Sequence, residues 1–281
     1  MPVTPQEVYS APFDAVAARY DETFTASKIG RAQRASVWRE LAKAFHSGAR
    51  VLEIGCGTGV DASFLAERGV RVVACDSSAQ MIAVTTRRIL ENGLQALVQP
   101  RLLPAEDIAS LSAGEPFDGA FSNFGALNCI ADLERLSQDL AKLLRPGAIA
   151  LLCWMGPHCL WETVWYSAHG KWEKAFRRFK NNKDGVTARI AEGASVRVDY
   201  PSVRSLARTF APDFRLRSLK GVGIAVPPSY LEPWAQVHPQ LLRLCERADS
   251  YIGRCPGIRG LADHLLLRFE RASTTSGGGR A

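Results

Sequence analysis

The chain has 281 residues, 47% of them hydrophobic and 22% charged, enough for one large domain or a core domain with an appendage. Its longest apolar candidate, 148–155, falls well short of the roughly 20 residues of a membrane-spanning helix, and seven scattered cysteines without a C-x-x-C pair argue against a disulfide framework or a zinc site. The net charge of +7 is concentrated between Trp165 and Lys220, where 13 basic residues face 5 acidic ones, a balance that suits an anionic substrate, a phospholipid surface or nucleic acid without being a nucleic-acid motif.

The first 20 residues lack a basic start followed by an apolar block, so a cytoplasmic protein is expected. From residue 50 onward, strands and helices alternate. A short apolar strand at 50–54 enters a glycine cluster, and a helix over 60–67 is stopped by Gly69. A second buried strand at 70–75 leads to Asp76-Ser77-Ser78, whose oxygens can cap a helix over 79–91 that Gly93 closes. Strands follow at 97–103 and 117–123, an amphipathic helix at 132–144, and a fifth strand at 148–154 after the Arg145-Pro146-Gly147 turn. This alternation predicts an α/β doubly wound sheet with mostly parallel strands.

Beyond Met155, Trp161, Trp165, Trp172, Phe176 and Phe179 recur at helix-like spacing, which predicts a helical lid. A polar stretch at 181–195, an exposed strand at 196–200, a short helix to about Phe210 and strand character over 214–226 come next. Residues 230–270 read as helical, and 273–281 as a disordered Gly/Ser tail. The expected divisions are N-terminal helices at 1–48, an α/β core at 49–155, a lid at 156–200, a return to the sheet with C-terminal helices at 201–270, and a tail at 271–281.

The chemistry concentrates in Glu53-Ile54-Gly55-Cys56-Gly57-Thr58-Gly59, between a strand and a helix N-terminus, where glycine lets the backbone approach a ligand. Val60 stands where a dinucleotide fingerprint has its last small residue, and Glu53 would repel a pyrophosphate but welcome a cationic amino group. Asp76 ends the second strand, where a carboxylate can accept both hydroxyls of a ribose. Ala105-Glu106-Asp107 makes a polar turn after the third strand, suited to an adenine amino group.

In these residues the chain resembles the class I S-adenosylmethionine-dependent methyltransferases, in particular the small-molecule branch related to the ubiquinone and menaquinone methyltransferases, over about residues 13–226. The resemblance implies a Rossmann-like sheet with an antiparallel last strand and S-adenosylmethionine as cofactor. It implies that Glu53, Gly55, Cys56 and Gly57 meet the methionine half and Asp76 the ribose, that Ser77 and Met81 border the adenine, and that Ala105, Glu106 and Asp107 lie near its amino group. The segment Phe13-Asp14-x-Val16-Ala17-x-x-Tyr20-Asp21 with Gly30-Arg31 looks like the N-terminal cover of such enzymes, so Tyr20 and Arg31, with Arg34 as a substitute, would bind the cofactor carboxylate.

The segment 122–129 after the fourth strand faces the reacting methyl group in that family, which brings Asn123 and Phe124 to the cofactor and makes Asn128 an orienting candidate. No Asp or Glu occurs from 119 to 131, so no chelated metal is expected there. His158 is the general-base candidate, and Trp154, Trp161, Trp165 and Tyr166 are candidates for lining an acceptor pocket. The expected partner is a small-molecule acceptor. The absence of an Asn-Pro-Pro-Tyr type motif disfavours nucleic acid, and the basic amphipathic stretch at 171–180 leaves room for peripheral membrane contact. The alternative activity is a cyclase or aminobutyl transfer that consumes the same cofactor and releases methylthioadenosine.

Overall fold

The computed structural model describes residues 11–179 and 185–273; the expected tail from 274 onward lies outside the described residues. Seven strands form one sheet in the order β3-β2-β1-β4-β5-β9-β8. The strands are β1 (Arg50–Ile54), β2 (Arg71–Asp76), β3 (Val98–Leu102), β4 (Phe117–Ser122), β5 (Leu144–Met155), β8 (Phe214–Val222) and β9 (His264–Arg271). All run parallel except β9, which lies antiparallel between β5 and β8. The helices are α1 (Ala17–Tyr20), α2 (Lys28–Ala44), α3 (Val60–Ala66), α4 (Ala79–Glu91), α5 (Leu133–Leu143), α6 (Leu160–Ala168), α7 (Trp172–Ala175), α8 (Val203–Thr209), α9 (Glu232–Val237) and α10 (Pro239–Ile252).

Alternation along the strands divides the core in two. Val51, Val72, Phe121, Leu151, Cys153 and Leu266 pack with Val37 and Leu41 of α2 and Phe64 and Leu65 of α3. Leu52, Ala150, Leu152, Trp154, Leu265 and Leu267 face the opposite side, with Leu136 and Leu140 of α5 and Leu206 of α8. There Phe210 stacks on Phe269 with centroids 4.7 Å apart and meets the edge of Trp154 at 5.8 Å. Emptying such a site by Phe→Ala costs about 3–5 kcal/mol. The cap expected before α4 is present: Ser78 Oγ accepts from Met81 N at 3.1 Å, worth about 1 kcal/mol.

Three expectations change. The block 230–270 is not wholly helical, because its end is β9, a strand buried on both faces whose Leu265-Leu266-Leu267 run carries no period that distinguishes strand from helix. The polar stretch at 181–195 holds strands from residue 186 onward: β6 (Val186–Ala191) and β7 (Ala194–Val198) form a two-stranded antiparallel hairpin, with Gly193 at φ 74° in the turn. The stretch expected to form a helical lid therefore holds α6, α7 and a hairpin. The fifth strand begins earlier than expected, at Leu144, with a pairing irregularity against β4 between Phe117 and Gly119. No helix among the described residues is long and apolar enough to cross a membrane.

Candidate active site

The carboxyl ends of β1, β4 and β5 and the first residue of the antiparallel β9 share one edge of the sheet, with His264 directly opposite Met155. Ligands of open α/β sheets bind outside this edge. The loop after β1 takes left-handed backbone at Gly55, Gly57 and Gly59, with φ of 68°, 54° and 74°. At Gly55 an added Cβ would lie 2.3 Å from Ala126 Cβ, whereas at Gly57 it would meet nothing within 4 Å, so the loop backbone is open to a ligand there. Gly57 N donates to Asp76 Oδ2 at 2.8 Å and Ser78 N to Asp76 Oδ1 at 2.9 Å, which fixes the carboxylate at the end of β2.

Behind the loop stands an aspartate. Asp61, buried in the first turn of α3, accepts from Arg34 Nη1 at 2.5 Å and Trp38 Nε1 at 2.6 Å through Oδ1, and from Asn123 Nδ2 at 2.9 Å through Oδ2. This arrangement leaves three buried polar atoms around it without a hydrogen-bond partner: Glu53 Oε2, Arg34 Nε and Asn123 Oδ1. Burial, then the nearby Asp61 carboxylate, hold Glu53 well above the usual carboxylate range, against the pull of Arg34. Two acceptors and one cationic donor with unmet bonding suit a group that carries both an ammonium and a carboxylate.

An N-terminal strap closes over these groups. Asp14 Oδ1 accepts from Ser78 Oγ at 2.5 Å and Gln80 N at 3.2 Å; Asp21 accepts from Thr58 Oγ1 at 2.7 Å and pairs with Arg88. Phe24 meets Phe124 edge-on at 5.2 Å, and the Arg34 guanidinium lies 4.8 Å from the Phe124 centroid. Phe124 is the non-glycine residue with positive φ, 52°, among those described. Tyr20, beside Arg34, Asp61 and Asp76, has its pKa raised by burial, with Arg34 opposing.

Several sequence-predicted residues stand elsewhere. Arg31 is solvent-exposed, and its neighbour on α2, Arg34, is the arginine in the buried network. Asn128 is not free to orient a ligand: Nδ2 donates to Met155 O and Asp199 O, and Oδ1 accepts from Met155 N, which makes it a staple between the β4–β5 region and the lid hairpin. His158, the general-base candidate, is exposed and packs on Phe179, centroids 4.7 Å apart. Trp154 is buried within the core cluster rather than lining a pocket.

Trp161 is half-buried and donates through Nε1 to Ala225 O at 3.2 Å, Trp165 is exposed beside His169, and Tyr166 packs on Tyr230. Met81 is buried and Ser77 exposed at the start of α4; Ala105, Glu106 and Asp107 open a 3-10 turn after β3, both acids exposed. Cys56 is buried with its thiol held well above the usual range by burial, unsuited to nucleophilic work. Asp61 and Trp38 escaped the sequence reading. For Asp61 a signal existed, since it is the acid that immediately follows the glycine loop in the first helical turn.

A parallel sheet with a glycine loop after its first strand, an acid after its second and one antiparallel strand near the far edge defines the Rossmann-like methyltransferase fold. Residues 52–150 match the family described as "Methyltransferase domain". Among curated relatives, a demethylmenaquinone methyltransferase of Clavibacter sepedonicus is 32% identical over 146 residues, 51% of this chain and 56% of the relative. A tRNA 5-carboxymethoxyuridine methyltransferase of Escherichia coli K12 is 31% identical over 162 residues, 56% of this chain and 57% of the relative. The chain thus spans just over half the length of these relatives. An S-adenosylmethionine-dependent methyltransferase structure from Listeria monocytogenes, 21% identical, superposes with a TM-score of 0.57 over 85% of this chain and 98% of that one, a likeness of fold. Residues 52–150 are thus similar to a methyltransferase domain, and the sheet around them has the Rossmann-like methyltransferase fold.

Proposed function

We propose that this chain transfers the methyl group of S-adenosylmethionine to a small-molecule acceptor. The observation that carries the reading is the trio of unpartnered buried atoms around Asp61. Arg34 Nε would take the carboxylate of the methionine half, and Glu53 Oε2 with Asn123 Oδ1 its ammonium. Asp76 would accept the ribose hydroxyls, Met81 would border the adenine, and Glu106 and Asp107 would stand near its amino group. When bound, the cofactor supplies a methyl group already activated on a sulfonium. The chain's own work is then to hold, orient and desolvate.

A small acceptor is favoured over nucleic acid because the basic segment loses much of its field in the fold. Arg177 and Arg178 pair with Glu162, Arg178 also with Asp263, Arg217 with Glu270 and Lys220 with Glu40, all acids from outside the segment. The lid at 156–200 would cover the acceptor, and its exposed Trp172, Phe176 and Phe179 beside Lys171 and Lys174 support peripheral contact with a membrane, measurable by sedimentation with anionic vesicles.

The test is mass spectrometry of the protein incubated with S-adenosylmethionine, alone and with a cell metabolite extract, against a heat-killed control. Extract-dependent adenosylhomocysteine is expected. Methylthioadenosine formed in its place would overturn methyl transfer in favour of aminobutyl chemistry.

A further inference from the structure

Beyond the carboxyl ends of β2 and β4, two segments far apart in sequence lie against each other. One is the start of the N-terminal strap, a 3-10 turn at Pro12–Val16; the other is the β6–β7 hairpin. Cα atoms of the turn come within 8 Å of both hairpin strands and of α4, and β7 is as close to the 3-10 turn at Ala126–Cys129. Among the described residues these two turns are the elements that adjoin the hairpin most. Val186, Ala188, Val196 and Val198 are half-buried or buried, while Arg189 and Arg197 between them are exposed. Val186 pairs with Val198 and Ala188 with Val196, so the four share one apolar face.

Neither segment holds its shape unaided. A lone two-stranded hairpin is at best marginal in water, and a single 3-10 turn has poor hydrogen-bond geometry. Each depends on what packs against it. Their ties to the sheet are few and polar. At the head of α4, Asp14 Oδ1 accepts from Ser78 Oγ at 2.5 Å and from Gln80 N at 3.2 Å. At the foot of the hairpin, Asp199 N donates to Asn128 O at 2.8 Å, and Asp199 O accepts from Asn128 Nδ2 at 2.6 Å. Ser78 also donates its N–H to Asp76 at 2.9 Å, so one residue serves both the strap and the carboxylate that ends β2.

The other end of the strap is firm. Ser27 Oγ donates to Phe24 O at 2.8 Å and accepts from Gly30 N at 2.9 Å, and Glu232 accepts from Lys28 N and Ile29 N. Between the two ends the winding passes from 3-10 to α to π over Pro12–Thr25, a pattern that marks hinges rather than stiff helices. The strap is an arm fixed at Ser27, with its outer end against the hairpin.

We infer that the strap's outer turn and the β6–β7 hairpin open and close as one unit, a gate whose two halves come from opposite ends of the chain. Lifting either half strips the other of the surface that covers its apolar side, so the two share one opening equilibrium. A ligand that holds the strap down beside Asp76 then closes the hairpin without touching it, and by linkage a loosened hairpin weakens that ligand. The coupling goes beyond the methyltransferase reading, which enters only in naming the ligand. In that reading the lid closes most firmly over an acceptor when the cofactor is already in place.

The test is millisecond hydrogen-exchange mass spectrometry on the full chain, first without ligand. Asp14→Ala cuts the strap's tie to α4, and Val196→Ser weakens the apolar face of the hairpin. Each is expected to speed exchange about fivefold or more in both 11–17 and 186–198, the equivalent of one lost cap, while α5 keeps its wild-type rate. Faster exchange only in the segment that carries the substitution would overturn the coupling. Were α5 to quicken as well, the variant would be globally loosened, and a measurement on the wild type decides: adenosylhomocysteine should slow both segments with a single midpoint, and protection of the strap alone would overturn the coupling. Failure of the wild type to bind adenosylhomocysteine by calorimetry would sink the methyltransferase reading, while the ligand-free comparison of the two variants still judges the gate.

Discussion

Glu53, a binding residue in the proposed function, illustrates what such a residue costs before its ligand arrives. Its carboxyl is 2% exposed with Oε2 unpaired, and its pKa is raised, first by burial. An acid whose folded pKa lies above the unfolded value near 4.5 loses stability as pH rises through the folded pKa. Glu53→Gln should therefore raise the melting temperature of the ligand-free protein at neutral pH and flatten its decline with pH, while weakening S-adenosylmethionine binding; calorimetry and thermal scans at several pH values check both. On α2, Arg34→Ala should weaken cofactor binding by more than about tenfold, whereas Arg31→Ala should leave it within about twofold in the same titration. Glu53 and Asp76 were legible because each ends a strand beside the glycine loop. The choice between Arg31 and Arg34 was not: residues three apart on a helix point within roughly 60° of each other, and the strap that decides which one is buried is a tertiary event.

The connecting elements carry more of the site's precision than their sequences announce. Asn128 makes three hydrogen bonds that join the turn after β4, the end of β5 and the lid hairpin at Asp199. Asn128→Ala should cost about 2–4 kcal/mol in urea unfolding, from the lost bonds and the stranded backbone groups, with cofactor affinity retained. The strap is tied more lightly. Arg88, partly exposed, donates to Thr58 O at 2.8 Å and pairs with Asp21. Arg88→Ala should speed limited proteolysis near residue 21 and raise the cofactor dissociation constant several-fold, read in a protease time course and by calorimetry. Strands β1 and β2 and helix α4 were visible through their punctuation, with glycine after and Ser78 before. β9 was invisible, since a strand buried on both faces shows neither a period of two nor one of 3.6.

For the molecule as a whole, the polar clusters around Asp61 and Asp263 are joined through the neighbouring Arg34 and Gln33 of α2 and separated by Phe24 and Phe124, so the two share one scaffold. Adenosylhomocysteine at 100 times its dissociation constant should stabilise the folded state by about 2.7 kcal/mol, seen as a melting temperature several degrees higher in a fluorescence scan. The sequence's local excess of +8 predicted a charged face, yet pairing is a property of the fold: Glu40, Glu162, Asp263 and Glu270 come from other elements to meet those cations.

The place of β9 also has a consequence for how the chain is made. It lies inside the sheet, hydrogen-bonded to β5 on one side and β8 on the other, yet it follows both in sequence. During synthesis from the N-terminus, β5 and β8 emerge before the strand that joins them, each presenting an unpaired edge open to pairing with another chain. A nascent chain halted before residue 264 would have the cofactor loop complete and its sheet still open, which makes this interval the one in which a chaperone that shields strand edges would raise the yield of folded protein.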